Sequence, residues 1–94
     1  MIRILEKELE QVISKLNSKD IHVEIDGIIH FDFNLYKVTA NYKKDNGKII
    51  FKDSLTSKVF TLETETLYNM SQNADNCMLE FKFDNFTFVY LQIL

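Results

Sequence analysis

The chain has 94 residues, 46% of them hydrophobic with eight Phe and four Tyr, which makes one domain with bulk for a core and excludes a disordered chain. Net charge is −3 and the one cysteine is Cys77, which excludes an internal disulfide framework and fits a reducing compartment. Charges at Arg3, Glu6, Lys7, Glu8 and Glu10 leave no signal-peptide core, and no apolar run is long enough to cross a membrane, so the cytoplasm is the expected location. There is no Pro, and Gly and Arg are scarce, while Ile, Lys, Asn, Phe and Tyr are abundant. Those abundant residues have A/T-rich codons, which points to a low-GC bacterium, its phage or another mobile element.

Residues 2–17 have the period of a helix. Ile2, Leu5, Leu9, Val12, Ile13 and Leu16 form one apolar stripe that Ile4 falls off. Acidic Glu6, Glu8 and Glu10 suit its N-terminal end, and Asn17 is placed to close it in a left-handed conformation. The period then becomes two. Ile21, Val23 and Ile25 alternate with His22, Glu24 and Asp26, and after Asp26-Gly27 the residues Ile29, Phe31, Phe33 and Leu35 alternate with His30, Asp32 and Asn34. A loop of Ile25-Asp26-Gly27, with Gly27 left-handed, pairs Val23 with Ile29 and Ile21 with Phe31 and keeps one face apolar.

Beyond Leu35 the apolar set moves to Tyr36, Val38, Ala40 and Tyr42, so the strand needs a bulge or bend near Asn34. Asn46-Gly47 predicts a two-residue hairpin pairing Tyr42 with Phe51 and Lys44 with Ile49. A polar turn at 53–57 leads to a strand at 58–66, with Phe60 and Leu62 on one face. Residues 67–77 lack periodicity and are expected to be irregular, with room for a short helical turn. A last hairpin, 78–83 and 86–93 across Asp84-Asn85, would set Phe83 against Phe86, Phe81 against Phe88 and Leu79 against Tyr90, an aromatic ladder for the helix to cover. Its second strand is also apolar on the other face, through Val89, Leu91 and Ile93, so it must be buried on both sides or meet another copy. The expected fold is α+β: an N-terminal amphipathic helix on a bent, mostly antiparallel sheet of five or six strands, barrel-like if the bend closes it, within a single domain.

Chemistry is sparse. The expected register sets His22 opposite His30, with Glu24 and Asp32 on the same face, a donor set that could bind a divalent metal and support a small metal-dependent enzyme. A solvated hairpin face usually carries such residues, so no metal or other cofactor is expected. Cys77 has no local base, and Glu63 and Glu65 lie on a polar strand that cannot raise a carboxyl pKa by burial. No phosphate loop or dinucleotide fingerprint is present. The chain is therefore not expected to be an enzyme.

The best electrostatic feature is a basic island in an acidic chain: Lys37, Lys43, Lys44, Lys48 and Lys52 against Asp45 alone. Those lysines, with Tyr42, are the expected contacts for another protein, an acidic one by charge, and Tyr68 and Met70 are candidate loop contacts. Arg is absent from the island and its Tyr side chains point away from the Lys face, which argues against nucleic acid. Lysines guarding a sheet edge are the plainer explanation of the island. The expected function is a non-enzymatic protein-binding module, such as an inhibitor, immunity or accessory protein. A homo-oligomeric structural or nucleic-acid-associated domain, for which a homodimer would suffice, is the alternative.

Overall fold

A computed structural model describes residues 2–73, 75 and 77–94 of the chain. They form two antiparallel sheets and one short helix. In chain order the elements are β1 (Ile2–Arg3), a 3-10 turn (Glu6–Glu8), α1 (Leu9–Ser14), β2 (Ile21–Asp26), β3 (His30–Leu35), β4 (Thr39–Lys43), a second 3-10 turn (Lys44–Asn46), β5 (Lys48–Lys52), β6 (Val59–Glu63), β7 (Leu67–Gln72), β8 (Met78–Phe83) and β9 (Phe88–Ile93). One sheet has six strands in the order β1-β7-β8-β9-β2-β3, and the other has three in the order β4-β5-β6. The α+β class is as expected, but two sheets replace the single bent one and they do not close into a barrel.

The expected helix over 2–17 shrinks to α1 and the turn before it. Ile2 and Arg3 instead pair with Gln72 and Ser71 of β7. Ile2 and Leu5, both counted in the stripe, are exposed, whereas Ile4 is buried and donates its N–H to the Met70 carbonyl at 2.8 Å. A two-residue strand and a β-conformation at Leu5 satisfy this segment's backbone better than a first helical turn would. Leu9, Val12, Ile13 and Leu16 do enter the core. The left-handed residue after the helix is Ser18, not Asn17 (φ 67°), and the Asn17 side chain instead accepts from the Ala40 N–H at 2.7 Å. That bond and the packing of α1 on β4 place the helix against the three-stranded sheet rather than over the C-terminal hairpin.

The parity slip after Leu35 has a specific cause: the chain changes sheets there. Lys37 takes a positive φ of 47°, and the corner is pinned from two sides. The Asp20 carboxylate accepts from the Lys37 N–H at 2.9 Å, and Val38 exchanges backbone bonds with Lys19 and Ser18. Asp53, only 1% exposed, accepts from Tyr36 N–H at 3.1 Å through Oδ2 and from Leu55 and Thr56 N–H at 2.7 and 3.0 Å through Oδ1. Asp53 is thus a buried clamp at the head of an otherwise exposed 53–57 turn.

Loop positions and lengths set the registers, and three loops differ from expectation. In the first hairpin the loop is Gly27-Ile28-Ile29, pairing Asp26 with His30 and Val23 with Phe33, and Gly27 is not left-handed. In the second, residues 44–47 form the connection, with Gly47 left-handed (φ 62°), so that Tyr42 meets Ile49 and Lys43 meets Lys48. In the third, Phe86 takes the positive φ of 64° expected of Asp84-Asn85, and the register slips by one residue: Phe81 meets Val89 and Leu79 meets Leu91. A one-residue slip exchanges faces. Val89 and Leu91 therefore enter the core, while Phe88 and Tyr90 stack on each other on the outer face. The expected irregular stretch 67–77 begins as β7, paired with β8 and β1 and bulged between Leu67 and Asn69; Ala74 and Asn76 lie outside the described residues.

The inner faces of the two sheets share one core, in which Phe51, Phe81, Leu9, Ile13, Ile21, Ile49 and Leu91 are fully buried. Phe33 of the larger sheet meets Phe60 of the smaller edge-on at 5.3 Å, and Phe60 stacks on Phe51.

Candidate interaction surface

Outward positions of the three-stranded sheet carry Lys43, Lys48 and Lys52, with Glu63 opposite Lys48 in register, and Lys44 sits in the adjoining turn. Three of the five expected lysines thus share one side, Lys44 lies in the turn next to them, and Lys37 stands apart at the corner between the sheets. Tyr42 is not on that side: it points inward and is half-buried, and burial, with Glu6 nearby, pushes its pKa up. It lines a cleft of about 290 Å³ together with Arg3, Glu6, Leu9, Thr64, Tyr68 and Met70. Three residues picked out by sequence, Tyr42, Tyr68 and Met70, therefore converge, but on the cleft. Tyr68 and Met70 belong to β7 and not to a loop; Met70 is buried, and Tyr68 is lifted outward by the bulge.

The outer face of the six-stranded sheet is acidic and aromatic. Lys82 Nζ lies over the rings of Tyr68 and Phe88 at 5.4 and 5.6 Å. The Tyr90 hydroxyl has its pKa raised by burial and by Glu80, Asp26 and Glu24 around it. The two histidines do not meet there. His22 pairs with Asn34, its Nδ1 2.6 Å from Asn34 Oδ1 and its Nε2 3.5 Å from Asp32, while His30 lies 3.7 Å from Asp26. Moving the loop by two residues, from 25–27 to 27–29, shifts the pairing register by four and separates them. No group of three His, Cys, Asp or Glu side chains suited to a metal occurs among the described residues. Cys77 is exposed, and its N–H is held by Asn73 and Asp75.

The feature the sequence reading missed lies at one end of this sheet. β2 and β9 are neighbours, so the 27–29 and 84–87 loops sit side by side; a Cβ on Gly27 would come within 3.0 Å of Thr87 Oγ1. Ile28 and Phe86 line one shallow hollow there with Asp26, Asn85 and Phe88. Ile28, Phe86 and Ile29 are the three most exposed large apolar residues described, at 103, 81 and 71%, and Phe31 of the adjoining β3, stacked on Phe33, is 48% exposed. A signal was present in the sequence: Ile28 and Ile29 are adjacent, and an alternating strand cannot turn both inward.

No protein-family model, curated protein or solved structure matches this chain.

Proposed function

We propose that this protein is a non-enzymatic protein-binding module whose contact surface is the apolar end of the six-stranded sheet. The carrying observation is the exposure of Ile28, Ile29, Phe31 and Phe86 around two adjoining loops. Small domains rarely leave contiguous large apolar side chains in water unless a partner covers them. Large aromatic and aliphatic anchors inside a polar rim contribute most of the affinity of protein interfaces. Asp26, His30 and Asn85 supply polar groups at this rim. An inhibitor, immunity or accessory role suits such a surface, because occlusion needs shape and apolar contact but no chemistry.

The test is comparative capture from a low-GC bacterial lysate with the wild type and with an Ile28→Ser, Ile29→Ser, Phe86→Ser variant. The variant should melt near the wild-type temperature, since these side chains are exposed, and should lose proteins that the wild type retains. Identical captured sets from two folded proteins would refute the proposal. A second reading is favoured by the side-sharing of Lys43, Lys48 and Lys52: an acidic protein partner steered to the three-stranded sheet. Lys43→Glu with Lys44→Glu should then leave folding intact and slow association, more so at low salt.

A further inference from the structure

We propose that β3 is the pairing strand of a symmetric homodimer, its free edge joining the same edge of a second copy, antiparallel, with Phe31 on the two-fold axis. This rests on the reading of the apolar end as a contact surface and names a partner for its Ile29–Phe31 side.

Edge strands invite pairing, and soluble proteins blunt them with shortness, bulges, Lys or Pro. Three of the four sheet edges are protected by shortness, by a covering helix or by charge. β1 has two residues. β4 has α1 packed on it and ends in Lys43. β6 ends in Glu63 and is flanked by Lys58 on one side and Glu65 on the other. β3 has only one charged side chain on its edge, the carboxylate Asp32, and that is the group the proposed pairing uses. It is six residues long, pairs with β2 without a bulge and contains neither Lys nor Pro. It exposes Phe31 and follows directly on exposed Ile29.

Side-chain parity and charge then select the register. Phe31, Phe33 and Leu35 share the inner face of β3, and His30, Asp32 and Asn34 the outer face. Pairing that keeps the faces consistent puts the two-fold axis through a residue. An axis at Asp32 opposes two carboxylates, and one at His30 opposes two imidazoles; like groups directly opposite are unfavourable. An axis at Phe33 sets Phe31 against Leu35, which is already buried in its own core. An axis at Phe31 sets His30 against Asp32 of the second copy, twice, on the outer face. On the inner face it stacks Phe31 on its own copy and covers Ile29 with Phe33, twice. Both His30 and Asp32 side chains are more than half exposed in the single chain, so both are accessible for the pair. That register alone offers complementary charge on one face and continuous apolar contact on the other.

The experiment is sedimentation of the full chain across a concentration series reaching the millimolar range, with site-directed cross-linking in a Cys77→Ser background. The wild type is expected to approach the mass of two chains. Asp32→Lys, at an exposed position, should remain folded and weaken the dimer at least tenfold, whereas His30→Lys should strengthen it. Phe31→Cys should form an interchain disulfide on mild oxidation, because residues on the axis lie within disulfide reach. Asp32→Cys alone should not, but combined with His30→Cys it should. A wild type with the mass of one chain at every concentration would overturn the homodimer. A dimer that cross-links through Asp32→Cys alone, or that ignores Asp32→Lys, would overturn this pairing. In either case a lysate partner still lost by the Ile28, Ile29 and Phe86 variant would leave the binding-module reading standing.

Discussion

Replacing Leu91 and Tyr90 by Ala, one at a time, separates the two registers available to the C-terminal hairpin. Leu91 is 1% exposed, faces the shared core and is flanked by Leu79 on β8 and Val23 on β2. Its truncation removes buried methyl groups and leaves a cavity, at a cost of about 2–5 kcal/mol. A domain of this length has a total stability of about 5–14 kcal/mol, so the loss is a large share of it. The melting temperature should fall by ~10–30 °C. Tyr90 stands on the outer face, half-exposed and stacked on Phe88 at 6.2 Å. Losing that stack and part of its burial should cost about 1–1.5 kcal/mol. Urea unfolding of both variants is the assay, with equal slopes required for the comparison. A Tyr90→Ala cost equal to or above that of Leu91→Ala would mean that the Phe88–Tyr90 face is the buried one and the described register is wrong.

Leu9→Asp should leave the domain unfolded at room temperature, because it puts a charge among fully buried side chains, while Glu10→Ala should change stability by less than about 0.5 kcal/mol; coincident melts would show that α1 does not pack as described. Phe86→Asn should raise stability by about 0.5–1 kcal/mol, since Asn tolerates the positive φ and the exposed ring buries little; a loss would mean the ring is packed. Burial raises the Asp53 pKa, but the N–H donors of Thr56, Tyr36 and Leu55 and the Thr56 hydroxyl together outweigh it and hold the carboxyl below its usual range. A lowered folded pKa contributes stability that is complete above the unfolded value, about 3.9, and is lost as pH falls through the folded one. Asp53→Asn should therefore melt below the wild type at pH 7, and the gap should narrow as the pH falls below the unfolded carboxyl value; a gap of constant size would remove the carboxylate from the corner.

Much of the fold was legible from periodicity. Alternation located β2, β3, β6, β8 and β9 and assigned the faces of Ile21, Val23, Phe60 and Leu62 correctly. What alternation cannot supply is the position and length of a loop. Asp26-Gly27 was a sound turn signal, yet the turn falls at Gly27-Ile28-Ile29, and that shift separates His22 from His30. β9 is apolar on both faces, so its pattern fitted either register, and Phe86 rather than Asn85 took the left-handed conformation that decides between them. β7 was missed because its bulge and its Asn, Ser and Gln break alternation. The candidate surface was hidden for a related reason. Ile28, Ile29 and Phe86 look like core residues until the loops place them outside it, whereas the lysines were visible from composition alone.

The most direct measurement is amide hydrogen exchange on the free protein at low concentration, at high concentration, and with any captured partner bound. We expect added protection over residues 27–33 and 84–88 in at least one of the two associated states, with the Lys43–Lys52 hairpin unchanged. Protection confined to Lys43–Lys52, or no change in either state, would contradict the apolar end of the sheet as the contact surface.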